Sequence, residues 1–182
     1  MPLALFAFPE NGPEGVEPER TYSFRYGNVL FLVLDVGTSP YIQAKWMEEQ
    51  LASTDATWKI GVYHFPMYSF REDDEYGAIR RRWEKVFAEH HLDMMFQGHV
   101  HYYLRTRPMK SGRPVASPAD GTIYLISVGL PGRKRPRKLP GHVEKYMSGG
   151  PWYQKLDVDG NRLVYRAYDE DGKVCDEFII EK

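Results

Sequence analysis

An α/β fold built on a mixed β-sheet is predicted from three features of the 182-residue chain. Strand-length apolar runs alternate with segments of helical period up to about residue 130. Residues 152–182 then carry only strand patterning, punctuated by Asp-Gly turns. Two of the apolar runs end in histidine, at His64 and His99. In open α/β sheets, chemistry collects just beyond the carboxyl ends of strands.

Each element follows from local chemistry. Residues 1–20 are rich in proline and glycine and read as an irregular lead-in to a single unit spanning residues 21–182. Thr21 to Asp35 reads as a hairpin: Tyr22 and Phe24 alternate with polar residues, Gly27-Asn28 turns the chain, and Val29 to Leu34 makes a buried strand. A helix follows, with Ser39 expected as N-cap, Pro40 in its first turn, and Ile42, Trp46, Met47 and Leu51 at helical spacing. Thr57–Phe65 is the next strand. "EYGAIRRRWEKVFAEHH" is a second helix whose apolar stripe is Tyr76, Ile79, Trp83, Val86 and Phe87. "LDMMFQGH" and Gly121–Leu130 are two further strands. The tail, with turns at Asp159-Gly160-Asn161 and Asp171-Gly172, is a three-stranded antiparallel meander.

Composition narrows the function classes. A net charge of −1 argues against a polyanion binder, so no nucleic-acid partner is expected. No apolar run approaches the roughly 18 residues of a membrane-spanning helix. The N-terminal residues lack the basic start and long apolar stretch of a signal peptide. The one cysteine, Cys175, cannot form an internal disulfide and reads as a strand residue.

The sharpest signal is "MMFQGHVHYYLRTRP", Met94 to Pro108. In extended chain, residues i and i+2 lie on the same side, about 6.5–7 Å apart. Imidazoles placed so can converge on one ion, or serve two ions roughly 3.5–4 Å apart. Gly98 lets the backbone pass close by. His64 ends a neighbouring strand and supplies a third imidazole. Set against this, an isolated His-x-His is common, and either ring could simply cap a strand or bond a carbonyl.

"WKIGVYHFPMYS", followed after a helix by "LDMMFQGHVHYYLRTRP", resembles the last two blocks of the calcineurin-like metallophosphoesterases, most closely the purple acid phosphatase-like branch. "GTIYLISVGLPG" and the closing meander resemble that branch's later strands. The resemblance implies the C-terminal half of a four-layer sandwich. It implies that His64 and His99 bind one metal and His101 the other, the ions being iron, zinc or manganese. It also implies hydrolysis of phosphate esters by metal-held hydroxide. The family's Asp-x-His, Gly-Asp and Gly-Asn-His blocks do not occur in these 182 residues. The bridging carboxylate, one further histidine, the asparagine and the histidine expected to protonate the leaving group are therefore missing. No catalytic residue can be named in this chain. The expectation is a partial catalytic domain that alone binds at most one metal weakly, completed by an upstream half or covered by self-association. A non-catalytic module that retains the fold is the alternative.

Other charged residues bear on substrate. Arg105 could reach phosphate oxygens. Arg133 leads a basic run, Arg133 to Lys138, that would form a lip for anionic phosphate esters. Asp73 and Asp74 stand in the loop after His64, where some relatives place substrate-contacting histidines. His90 and His91 close a helix and read as structural.

Overall fold

The computed structural model describes residues 6–70, 76–127 and 136–182. Its main sheet has seven strands in the order β1-β2-β3-β4-β8-β5-β9. These are β1 (Tyr22–Tyr26), β2 (Val29–Val33), β3 (Trp58–Val62), β4 (Met94–Gln97), β5 (Tyr103–Thr106), β8 (Ile123–Ile126) and β9 (Val143–Met147). The central strands β2, β3, β4 and β8 run parallel. The flanking β1, β5 and β9 run antiparallel to their neighbours. A two-residue ribbon, β6 (Met109–Lys110) with β7 (Arg113–Pro114), and a 3-10 turn at Pro118–Asp120 fill the connection into β8. Helices α1 (Pro40–Ser53) and α2 (Gly77–His90) make the two crossovers between parallel strands. β10 (Tyr153–Asp159), β11 (Arg162–Tyr168) and β12 (Val174–Glu181) form a separate antiparallel sheet.

The predicted hairpin is β1–β2. Gly27 carries the positive φ of 58° and Asn28 does not, so glycine sits where a type II′ turn needs it. The expected Ser39 cap differs: its side chain makes no capping bond, and Pro40 alone opens α1. The entry is organised instead by Gln43, which is buried. Its amide donates to the carbonyls of Asp35 and Thr38, at 2.8 and 3.0 Å, and accepts from the Asp35 N–H at 2.9 Å. The lead-in is tied down rather than loose. Asn11 makes a reciprocal pair with the Ser23 backbone, at 2.9 and 3.0 Å, and so occupies part of the β1 edge.

Strand alternation sorts the core into two layers. Leu30, Leu32, Leu34, Tyr63 and Met95 face the helices, against Trp46, Met47, Leu51, Trp83 and Phe87. Val29, Ile60, Met94, Ile123 and Leu125 face the small sheet, against Leu163, Tyr165, Ala167 and Ile180. The result is helices, main sheet and meander in three layers. The turn between β10 and β11 anchors the third: the Gly160 carbonyl accepts from Asn28 Nδ2 and Trp58 Nε1, both at 2.9 Å.

Gly61, in the middle of β3, marks the tightest point. A Cβ there would stand 2.4 Å from Met95 Cε and 2.8 Å from its sulfur, inside the helix-side core. Gly61→Ala should therefore lower stability by about 1–3 kcal/mol, the usual cost of overpacking, read as a fall in the denaturant midpoint. An unchanged midpoint would show that Met95 has room to turn aside.

Candidate metal centre

The histidines sit where the β3–β4 ladder runs out. Tyr63 N donates to the Phe96 carbonyl at 2.9 Å, and Gly98 N to the His64 carbonyl at 2.9 Å, so the two strands stay zipped up to His64 itself. Gln97 Nε2 holds the Phe65 carbonyl at 2.8 Å and fixes the loop that follows. A Cβ on Gly98 would lie 3.6 Å from His64 Nδ1, in ordinary van der Waals contact with that ring.

The His-Val-His stretch is not extended chain, as the i, i+2 reading assumed. Val100 N donates to the Gly98 carbonyl at 2.8 Å, and Tyr102 N to the Val100 carbonyl at 3.0 Å. These are two successive three-residue turns, with His99 and His101 at their apices. His99 holds a positive φ of 66°, an uncommon conformation for a residue with a side chain. Val100 and Tyr102 are pinned inside a third apolar cluster with Leu104 and Ile126, which leaves both histidines on the outside.

His64 and His99 meet. His64 Nε2 lies 3.3 Å from His99 Nδ1, with the ring centroids 5.2 Å apart and the planes at 76°. Two nitrogens on one tetrahedral zinc, each at about 2.0–2.1 Å, stand roughly 3.4 Å apart. The separation matches that of two nitrogens on one such ion, and the contact also meets the geometry of a ring N–H···N hydrogen bond. For an N–H···N hydrogen bond the same distance is long. Aromatic rings brace it: Phe65 packs edge-on to both imidazoles, at 5.2 and 5.0 Å, and stacks on Tyr76 at 4.7 Å. His101 is exposed and does not join them. No three histidine, cysteine or carboxylate ligand atoms lie within 4.8 Å of one another at this rim among the described residues. The rim thus offers two adjacent imidazoles with a third on the adjoining turn, and no carboxylate joins them among the described residues.

Beside His64 opens a shallow cleft of about 380 Å³, reaching Leu34, Val62, Ser127 and Gln154. Ser127 Oγ and Gln154 Nε2 are both buried without a hydrogen-bond partner among the described residues. Tyr63 also lines it, and burial, reinforced by Tyr76 and Asp35, pushes its phenol up to about 12, so it is a neutral hydroxyl at physiological pH.

No protein-family model matches the chain. Curated phosphatases do. A phosphoenolpyruvate phosphatase of Allium cepa is 28% identical over 148 residues, covering 72% of this chain and 30% of that protein. An Fe(3+)-Zn(2+) purple acid phosphatase of Arabidopsis thaliana is 31% identical over 93 residues, covering 47% of this chain and 20% of that protein. Among solved structures, the purple acid phosphatase PPD1 from yellow lupin (Lupinus luteus) seeds superposes with a TM-score of 0.72 at 23% identity, over 88% of this chain and 32% of that one. The chain is thus similar in sequence to purple acid phosphatases and shares the fold of one of them. GAP50, described as the anchor in the inner membrane complex of Plasmodium, shares the fold with a TM-score of 0.65 at 12% identity, over 88% of this chain and 53% of that one. The chain spans about a third or less of the length of the curated proteins it matches.

Elsewhere in the chain, Arg105 does not stand free beside the rim. Its guanidinium grips Asp176 of β12 with both arms, at 2.7 and 3.0 Å, and Tyr103 Oη donates to the same carboxylate at 2.7 Å. A phosphate contact from Arg105 would require that pair to open. Arg133, Asp73 and Asp74 lie outside the described residues. Sequence reasoning missed Phe65 and Gln97; the only available signal was their adjacency to the two histidine blocks. No described helix is long and apolar enough to cross a membrane.

Proposed function

We propose that this chain takes part in metal-dependent hydrolysis of phosphate esters, supplying His64, His99 and His101 to a two-metal centre whose carboxylate ligands are not among its 182 residues. The observation that carries the reading is the 3.3 Å approach of the His64 and His99 ring nitrogens at the ends of adjacent parallel strands. His64 and His99 hold one cation, and His101, one turn further on, holds its neighbour. Iron, zinc and manganese are the candidates. When bound, the pair of cations acidifies a water and neutralises the phosphoryl oxygens. The chain's own part is to aim three imidazoles, to brace two of them with Phe65, and to offer the cleft beside His64 to the substrate. Arg133, outside the described residues, remains in the proposal for its charge alone, which suits an anionic ester.

Three neutral imidazoles cannot offset two divalent cations. The chain by itself therefore binds at most one ion weakly, and an upstream half of the domain or self-association completes it. The exposed apolar side chains beside the meander, Phe24, Tyr26 and Val62, support such a covering partner. On p-nitrophenyl phosphate, with chelator and metal controls, the pure chain should show little or no turnover. Robust metal-dependent turnover by this chain alone would overturn the incomplete-site reading. One observation favours a second function, a non-catalytic binding or assembly module: the rim gathers no three ligands within 4.8 Å among the described residues. A longer polypeptide containing this chain that neither binds metal nor hydrolyses esters would decide for that alternative.

A further inference from the structure

Far from the histidine rim, α1 and α2 bring Glu48, Glu89 and His90 together so that one ligand atom from each lies within 4.8 Å of the other two. These residues sit at and beside the last turn of α2, which leads through a short link to the start of β4. His64 and His99 lie beyond the opposite end of the β3–β4 pair. The cluster is thus separated from the candidate metal centre by the length of the sheet.

Three features mark it as more than a solvated acidic face. First, two carboxylates approach each other with no lysine or arginine paired to either among the described residues. Of the nearby lysines, Lys45 lies 3.9 Å from Glu49, Lys59 donates to the His90 carbonyl at 2.8 Å, and Lys85, one helical turn before Glu89, makes no ion pair with it among the described residues. Second, the third member is an imidazole, half-buried and carried on backbone that Lys59 anchors, so the nitrogen donor has a fixed origin. Third, the cluster lies at the C-terminal end of α2, where the helix dipole is negative, with the His90 carbonyl itself taken by Lys59. Two carboxylates and one imidazole match a zinc ion in charge and donor type, and water fills the remaining positions.

We propose that Glu48, Glu89 and His90 form a second, structural site for a divalent transition-metal ion such as zinc, one that clips the end of α2 to α1. The site does not depend on the phosphoesterase reading. Isothermal titration with zinc chloride tests it in the full chain carrying His64→Ala and His99→Ala, which silences the rim. One equivalent should bind with micromolar affinity and raise the melting temperature. Adding His90→Ala or Glu48→Gln should weaken binding at least tenfold and abolish the thermal shift. All three residues are surface-accessible, so the apo melting temperature of these variants should stay where it was. No zinc binding in the rim-silenced chain would overturn the proposal, and so would binding that survives both additional substitutions.

Discussion

Asp176→Ala should destabilise the protein by about 3–5 kcal/mol, the usual cost of stranding one partner of a buried ion pair. Asp176 is 8% exposed and receives both arms of Arg105 and the Tyr103 hydroxyl. Burial pushes the Tyr103 phenol far up, so it stays protonated and keeps donating. Without the carboxylate, Arg105 is left charged at the interface between the main sheet and the meander, stacked only on the Phe178 ring at 4.9 Å. The double variant Arg105→Met with Asp176→Leu removes both charges and should recover most of the loss, because the Coulombic gain of such a pair barely exceeds its desolvation cost. Urea unfolding of the two singles and the double measures the coupling. If Asp176→Ala cost under about 1 kcal/mol, the bidentate pair would be no clamp between layers, and Arg105 would be available to substrate after all.

The second large effect concerns the rim. His64→Ala and His99→Ala should each weaken binding of one metal equivalent by about 100-fold or more, above the 10–100-fold typical of residues that only orient a ligand. The measurement is cobalt titration followed by its visible absorption, in a Glu48→Gln, His90→Ala background so that the helix cluster stays silent. His99→Gly separates ligation from folding. Glycine accepts the φ of 66° without strain, so this variant should equal or exceed the parent in stability by up to about 1 kcal/mol while losing the metal. Cobalt binding unchanged in His99→Gly would remove His99 from the ligand set. A large stability loss in the same variant would instead show that the ring is kept for its packing on Phe65.

What the sequence determined by itself was everything with a short-range cause. The period of apolar residues set the parallel core strands and both helices, and Asp-Gly at residues 159–160 and 171–172 set the meander turns, with Gly160 and Gly172 at positive φ. The His64 and Gly98-His99 blocks were legible because strand ends in an α/β sheet are fixed by the same periodicity that makes the strands. Tertiary structure decided the rest, wherever a residue's fate depends on a partner far along the chain. β9 lies in a proline- and charge-rich stretch with no alternating pattern, and it exists because β5 offers it an edge. Arg105 reads locally as a phosphate ligand, yet it is claimed by Asp176, 71 residues away. Glu48 and His90 are unremarkable on their own helices and become a cluster only when α1 packs on α2. The approach of His64 to His99 combines the adjacent ends of two parallel strands with a tight turn at His99, pinned by Val100 in an apolar cluster. Local periodicity specifies which way a side chain points along its own element; only packing specifies what it meets there.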